Sequence, residues 1–232
     1  MVRIVQNEAI KGSQKWMQII VNYNSRHLND LLRPEMHLNS QDDIEWLSPL
    51  RGDSYAEYKD GDILNIFKIS LLNRSLETFW PRGGPVWDGL AKTSRGDVIL
   101  VEAKSHISEM VSSCQAGPQA LRQIQESMIE AAKSYESFMP DNWTSGYYQY
   151  ANRLAHLYFL RNLNDIPAWL VFLYFVNDHE MSGPESKDKW KNAIAEVHDH
   201  LGVKAERLKP YVIDVFVDVL KLEERMRFQN ER

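Results

Sequence analysis

Nine consecutive residues without a charge, Ala168-Trp169-Leu170-Val171-Phe172-Leu173-Tyr174-Phe175-Val176, constrain this chain more than any other stretch. The run is short, rich in aromatic and branched side chains, and closed by Asn177-Asp178, so it reads as a strand. A strand that is apolar on both sides has to be covered on both faces, which is the position of a central strand in a layered α/β protein. With Pro167 inside the wider run from Ile166, it is too short to span a bilayer.

The rest of the pattern supplies the covering layers. Residues 13 to 32 read as one helix, with Ser13 as a cap, Pro34 beyond its end, and Trp16, Ile20, Tyr23, Leu28 and Leu31 as its apolar stripe. Trp46 to Leu50 reads as an anchored loop. Ser54-Tyr55-Ala56-Glu57 reads as the start of a second helix whose later part, Ile63 to Leu72, is strongly apolar, with Gly61 as a weak point. Pro81-Arg82-Gly83-Gly84-Pro85 breaks the chain. Beyond it, Val86 to Ala91 and Val98 to Lys104 read as a hairpin joined by Lys92 to Asp97. Leu121 to Met139 has helical spacing, as does Tyr147 to Asn162. Trp190 to Leu201 is a helix ended by Gly202, Tyr211 to Val219 is a last strand, and the charged tail from Lys221 is a frayed helix.

This order predicts an α/β protein with one mixed central sheet flanked by helices. A single domain spans 1–232, with a helical N-terminal segment over 1–49 and a C-terminal helix–strand extension over 177–232. The net charge of −5 disfavours broad non-specific binding to nucleic acid but leaves room for a local basic groove. Cys114 is the only cysteine, which excludes an internal disulfide and suits a reducing compartment. The first residues carry no apolar signal segment. A cytoplasmic protein with no membrane partner is the expectation.

Chemistry concentrates at the hairpin. Glu102 and Lys104 alternate with Ala103, so they share one face of the strand while Ala103 turns back into the core. If the hairpin forms, Asp88 on the neighbouring strand converges with Glu102. Two carboxylates there make an oxygen-rich site for a hard cation, Mg2+ or Mn2+ in preference to zinc. Lys104 is placed to orient or activate a water and to stabilise developing negative charge. The bland alternative is a surface ion pair between Glu102 and Lys104, with Asp88 as a turn residue.

Asp88, a spacer and Glu102-Ala103-Lys104 resemble the PD-(D/E)XK nuclease superfamily, the restriction-endonuclease-like fold. Val86-Trp87 stands where the motif's name calls for proline. The resemblance implies a core over about 50–176 and a metal-dependent endonuclease or exonuclease that hydrolyses phosphodiester bonds. It implies Asp88, Glu102 and the Ala103 backbone carbonyl as metal ligands, and Lys104 as the residue that assists the attacking water. Its partner would be nucleic acid, DNA ahead of RNA, and a homodimer is compatible with it. Members often add an acidic residue from upstream, for which Glu57 is the candidate and Glu45, Asp60 and Asp62 the lesser competitors. Ser54-x-x-Glu57 is equally a capping box.

The stripe Gln149, Asn152, Arg153 and His156 on an otherwise apolar helix is either a solvated face or the wall of a cleft. In the second case Arg153 would hold a phosphate and Gln149 or Asn152 would contact a base or sugar. His156 alone reads as a structural histidine. Phe138, Trp143, Tyr147, Tyr148 and Tyr150 are either core or a stacking surface for unpaired bases. His106 and Glu109 draw no role. Against the nuclease stand a non-catalytic binding or assembly protein on the same fold and a small-molecule phosphohydrolase using the same carboxylates.

Overall fold

A computed structural model describes residues 3–230, with side chains to residue 226. In chain order the elements are β1 (Arg3–Ile4), α1 (Gly12–Tyr23), α2 (Ser25–Glu35), β2 (Ile44–Ser48), β3 (Glu57–Lys59), α3 (Asp60–Ile66), α4 (Leu76–Phe79), β4 (Val86–Trp87), β5 (Gly89–Thr93) and β6 (Val98–Lys104). Then come α5 (Pro118–Ser134), α6 (Tyr148–Tyr158), β7 (Ala168–Val176), α7 (Lys187–Leu201), α8 (Ala205–Leu208), β8 (Val212–Asp218) and α9 (Val219–Asn230). The main sheet has the order β2-β5-β6-β7-β8, and β1, β3 and β4 form a small second sheet. The main sheet is mixed: β2, β5 and β6 pair antiparallel, while β6, β7 and β8 pair parallel.

All nine residues of β7 are buried, as its composition requires. Its faces look into two cores. Leu170, Phe172 and Tyr174 pack with side chains of α5, α6 and α7, while Trp169, Val171, Leu173 and Phe175 pack with Trp16, Met17, Ile20, Leu28 and Leu32 of α1 and α2. The architecture is α/β, and among the described residues no helix is long and apolar enough to cross a membrane.

Four local expectations are corrected. The predicted helix over 13–32 is two helices, broken at Asn24, whose ψ of 33 with φ −147 leaves the helical region, and Pro34 sits inside the last turn of α2. Ser13 does not cap α1; Lys11 precedes it in extended conformation. Residues 46–48 are strand: in Ile44 to Ser48 burial alternates along the chain, and the N-terminal segment therefore contributes an edge strand as well as helices. Trp46 Nε1 donates to Asn29 Oδ1 at 2.8 Å and Asn29 Nδ2 to the Ile44 carbonyl at 3.1 Å, which ties β2 to α2. Finally, Ser54 and Tyr55 both have positive φ, 51° and 48°, which no helix start tolerates, and the chain runs into β3 before α3 begins at Asp60. That helix stops at Ile66, with Lys68 at φ 54 turning the chain away, so the apolar residues to Leu72 lie outside it.

Candidate active site

Asp88 lies where the chain changes sheets. Tyr58 of β3 pairs with Trp87 of β4, and two residues later Gly89 pairs with Val101 of β6. Beyond Val101, β6 has lost its strand partner on that side. The Asp88 carboxylate takes over that role, Oδ2 accepting the Ala103 N–H at 2.8 Å. Its other oxygen accepts no hydrogen bond from any described residue. The hairpin therefore forms only between β5 and β6: Val86 and Trp87, predicted to belong to it, pair in the small sheet instead, and Asp88 comes beside the end of β6 from the junction.

Glu102 and Lys104 share a face of β6, and Ala103 is 1% exposed in the opposite core. Glu102, 2% exposed, is held from two sides. Lys104 Nζ donates to its Oε1 at 2.6 Å, while Arg153 reaches its Oε2 through Nε at 2.7 Å and Nη2 at 2.5 Å. This is a buried three-charge cluster, unlike the exposed ion pair that the bland alternative needs. Lys104 Nζ also donates to Gln149 Oε1 at 3.0 Å.

The polar stripe of α6 faces inward. Arg153 is 5% exposed, and it additionally donates to the Val86 carbonyl at 2.8 Å and Asn152 Oδ1 at 2.9 Å and lies over the Trp87 ring at 4.8 Å. Gln149, Asn152 and Arg153 line a cleft of about 520 Å³ together with Asp88, Glu102 and Lys104. His156 stands apart: its Nδ1 is 2.9 Å from the Asn152 carbonyl, its Nε2 is 3.5 Å from Asp60 Oδ2, and the edges of Trp80 and Trp87 enclose it. Glu45 pairs with Lys92 at the sheet edge and is remote from the cleft.

Glu57 also reaches the cleft, from β3 rather than from a helix, and it is 9% exposed. Its Oε2 accepts from Gln6 Nε2 at 2.9 Å and its Oε1 from Gln14 Nε2 at 3.2 Å. The capping-box alternative is overturned, because there is no helix start for it to cap. Gln6 and Gln14 were invisible as site residues, since 51 and 43 residues separate them from Glu57 and no local pattern joins them. Glu109 belongs here as well: it lines the cleft, and its Oε2 accepts the Ser105 N–H at 2.6 Å, fixing the turn after Lys104.

The carboxylates are driven apart in acidity. Burial pushes Asp88 up, the charge of Glu102 adds to this, and Lys104 and the Ala103 N–H offset only part, leaving it at about 8. Burial would raise Glu102 too, but Arg153 and Lys104 outweigh it and hold Glu102 below its ordinary value. Burial raises Glu57 against the pull of Gln14 and Gln6. Burial alone would depress Lys104; Glu102 and Asp88 overcome it and hold the ammonium above its usual range. Within one site, Asp88 is thus held above and Glu102 below the ordinary carboxylate range.

Among the described residues no group of three or more His, Cys, Asp or Glu side chains is arranged as a metal cage. Magnesium does not need one. It binds through one or two carboxylates and keeps several waters; Asp88, Glu102 and Ala103 all line the cleft wall, where one Asp88 oxygen accepts no hydrogen bond from a described residue. No family model, no curated protein and no solved structure matches the chain.

Proposed function

We propose that the protein is a metal-dependent nuclease of the PD-(D/E)XK type on a restriction-endonuclease-like fold, hydrolysing phosphodiester bonds at this cleft. The observation that carries it is the meeting of Asp88, Glu102 and Lys104 at the end of one strand, joined through Ala103 N–H and Lys104 Nζ. Asp88, Glu102 and the Ala103 carbonyl would hold Mg2+ or Mn2+, with Glu57 as a further acidic neighbour. Such an ion polarises a phosphoryl oxygen and lowers the pKa of a bound water.

The protein's own groups do the rest. Lys104 has three donors, of which Glu102 and Gln149 take two, so one remains to orient the attacking water or to meet charge on the phosphoryl oxygens. Because its ammonium is held charged, Lys104 acts by orientation and electrostatics and does not remove the proton itself. Gln149 fixes the direction of Lys104. Arg153 sets the rotamer of Glu102, and its remaining positive charge at the cleft wall favours a bound phosphate. Asn152, which accepts from Arg153, holds that guanidinium in place and offers a polar edge to the substrate.

Purified protein with magnesium or manganese is expected to cut nucleic acid. Lys104→Ala should lower the rate by about 10²–10³, as removal of an electrostatic donor does elsewhere, with the circular dichroism spectrum unchanged. Undiminished cutting by that variant would sink the mechanism. Calorimetric titration with manganese should show a site that disappears in Asp88→Ala.

A further inference from the structure

We infer that the cleft takes an unpaired polynucleotide strand, DNA or RNA, and that Tyr148 is the surface on which one of its bases stacks. The chemistry of the strand rests on the nuclease reading; the mode of binding has its own grounds. The first is depth. Glu102 is 2% exposed and the Lys104 side chain 12%, at the floor of a cleft of about 520 Å³. Double-stranded DNA is stiff, with a persistence length of about 50 nm, and carries its phosphates on its outside. An unpaired strand can turn one phosphate inward to the floor.

The second ground is charge. Duplex binders draw affinity from many cations, each releasing counterions from a phosphate. The cationic side chains lining this cleft are Lys104 and Arg153, and both are hydrogen-bonded to Glu102. The chain as a whole carries −5. Affinity then has to come from contacts other than charge.

Tyr148 supplies one. It lines the cleft, half-buried, one residue before the Gln149 that holds Lys104. Its ring packs against the buried core beneath α6, so it is already held before anything binds. A fixed aromatic face is what base stacking needs, and it works with any base. Gly83 and Gly84 line the same cleft without side chains, and a Cβ on Gly84 would run into the Asp60 carboxylate. The space beside Gly84 is thus taken by Asp60, whereas Gly83, where an added Cβ would meet nothing within 4 Å, stands against open space.

The test is fluorescence anisotropy with the wild-type protein and metal chelated, so that nothing is cut. Short oligothymidine, short oligouridine and a blunt DNA duplex of equal length serve as probes. One or both single strands should bind at least about tenfold tighter than the duplex, the two arms separating DNA from RNA. Tyr148→Ala should lose about tenfold or more of that affinity, and Tyr148→Phe, which keeps the ring, should restore most of it. Equal or tighter duplex binding, no binding of either strand, or a Tyr148→Ala variant that binds like the wild type overturns the inference. Hydrolysis of bis(p-nitrophenyl) phosphate with manganese is scored separately. Hydrolysis with duplex preference leaves the nuclease reading and removes this one; strand binding without hydrolysis does the reverse.

Discussion

At the scale of single residues, burial and the neighbouring Glu102 make Asp88 costly to ionise. A carboxylic acid that ionises near 3.8 in the unfolded chain and at about 8 in the folded one favours folding of its protonated form. Its contribution is fully present below the unfolded value and is lost as pH rises through the folded one, so the metal-free protein should weaken between about pH 4 and 8. Glu102 works in the opposite sense, its contribution lost as pH falls below its ordinary value. Urea unfolding in chelator at pH 5, 7 and 9 should show the decline, and Asp88→Asn should flatten it, with a melting temperature at pH 9 higher by roughly 2–4 °C, about what 1 kcal/mol is worth in a chain of this size. A cation must displace the Asp88 proton, so manganese affinity should climb with pH up to about 8 and then level. The Asp88…Glu102-x-Lys104 spacing was legible because a strand alternates its faces. The partners of Glu57 were not, since Gln6 and Gln14 come from distant segments, and Glu57 itself was placed on the wrong kind of element because Ser54-x-x-Glu57 imitates a cap.

At the scale of elements, the turn at the end of β6 is held by more than the hairpin. Ser105 donates its backbone N–H to Glu109 and its hydroxyl to Asp178, whose Oδ2 also accepts from Trp16 Nε1 at 2.8 Å. Asp178 therefore fastens α1 to the ends of β6 and β7. Gly183 packs against this knot so closely that a Cβ there would overlap the Ser105 carbonyl oxygen and press on that of Asp178. Gly183→Ala meets backbone and has no flexible side chain to push aside. It should destabilise by about 1–3 kcal/mol in urea titration and reduce cleavage beyond what the lost folded fraction explains, because Ser105 directly follows Lys104. Elements with a clean period were legible: β6, β7 and the helix ended by Gly202 stand where their patterns put them, while α5 forms but stops at Ser134, short of the predicted Met139, with Glu136 at positive φ. The misreadings share a cause. Pro49 disguised β2 as a loop, a stripe at helical spacing ran across the break at Asn24, and an apolar tract hid the stop at Lys68; at both, backbone dihedral angles and not hydrophobicity decide the boundary.

At the scale of the whole molecule, β7 is the spine. It is parallel to both neighbours, buried throughout and shared by two cores. Its amides should exchange hydrogen only through global unfolding, so Val171 to Phe175 should be the slowest class and follow the stability measured in denaturant. The α/β class was readable from that run alone. The division into two sheets was not, because strands of two and three residues such as β4 and β3 carry no periodic signal.

The change of sheet at Asp88 bears on heat tolerance. Glu102 and Lys104 ride on the five-stranded sheet, whereas Glu57 and the approach to Asp88 hang from three strands of only two or three residues each. The proposed catalytic set is therefore assembled across parts of unequal durability, and the weaker part should open first. Initial rates measured on a temperature ramp are expected to collapse several degrees below the calorimetric melting point and to recover on cooling. Loss of activity only at the melting point itself would mean that both sheets melt as one unit.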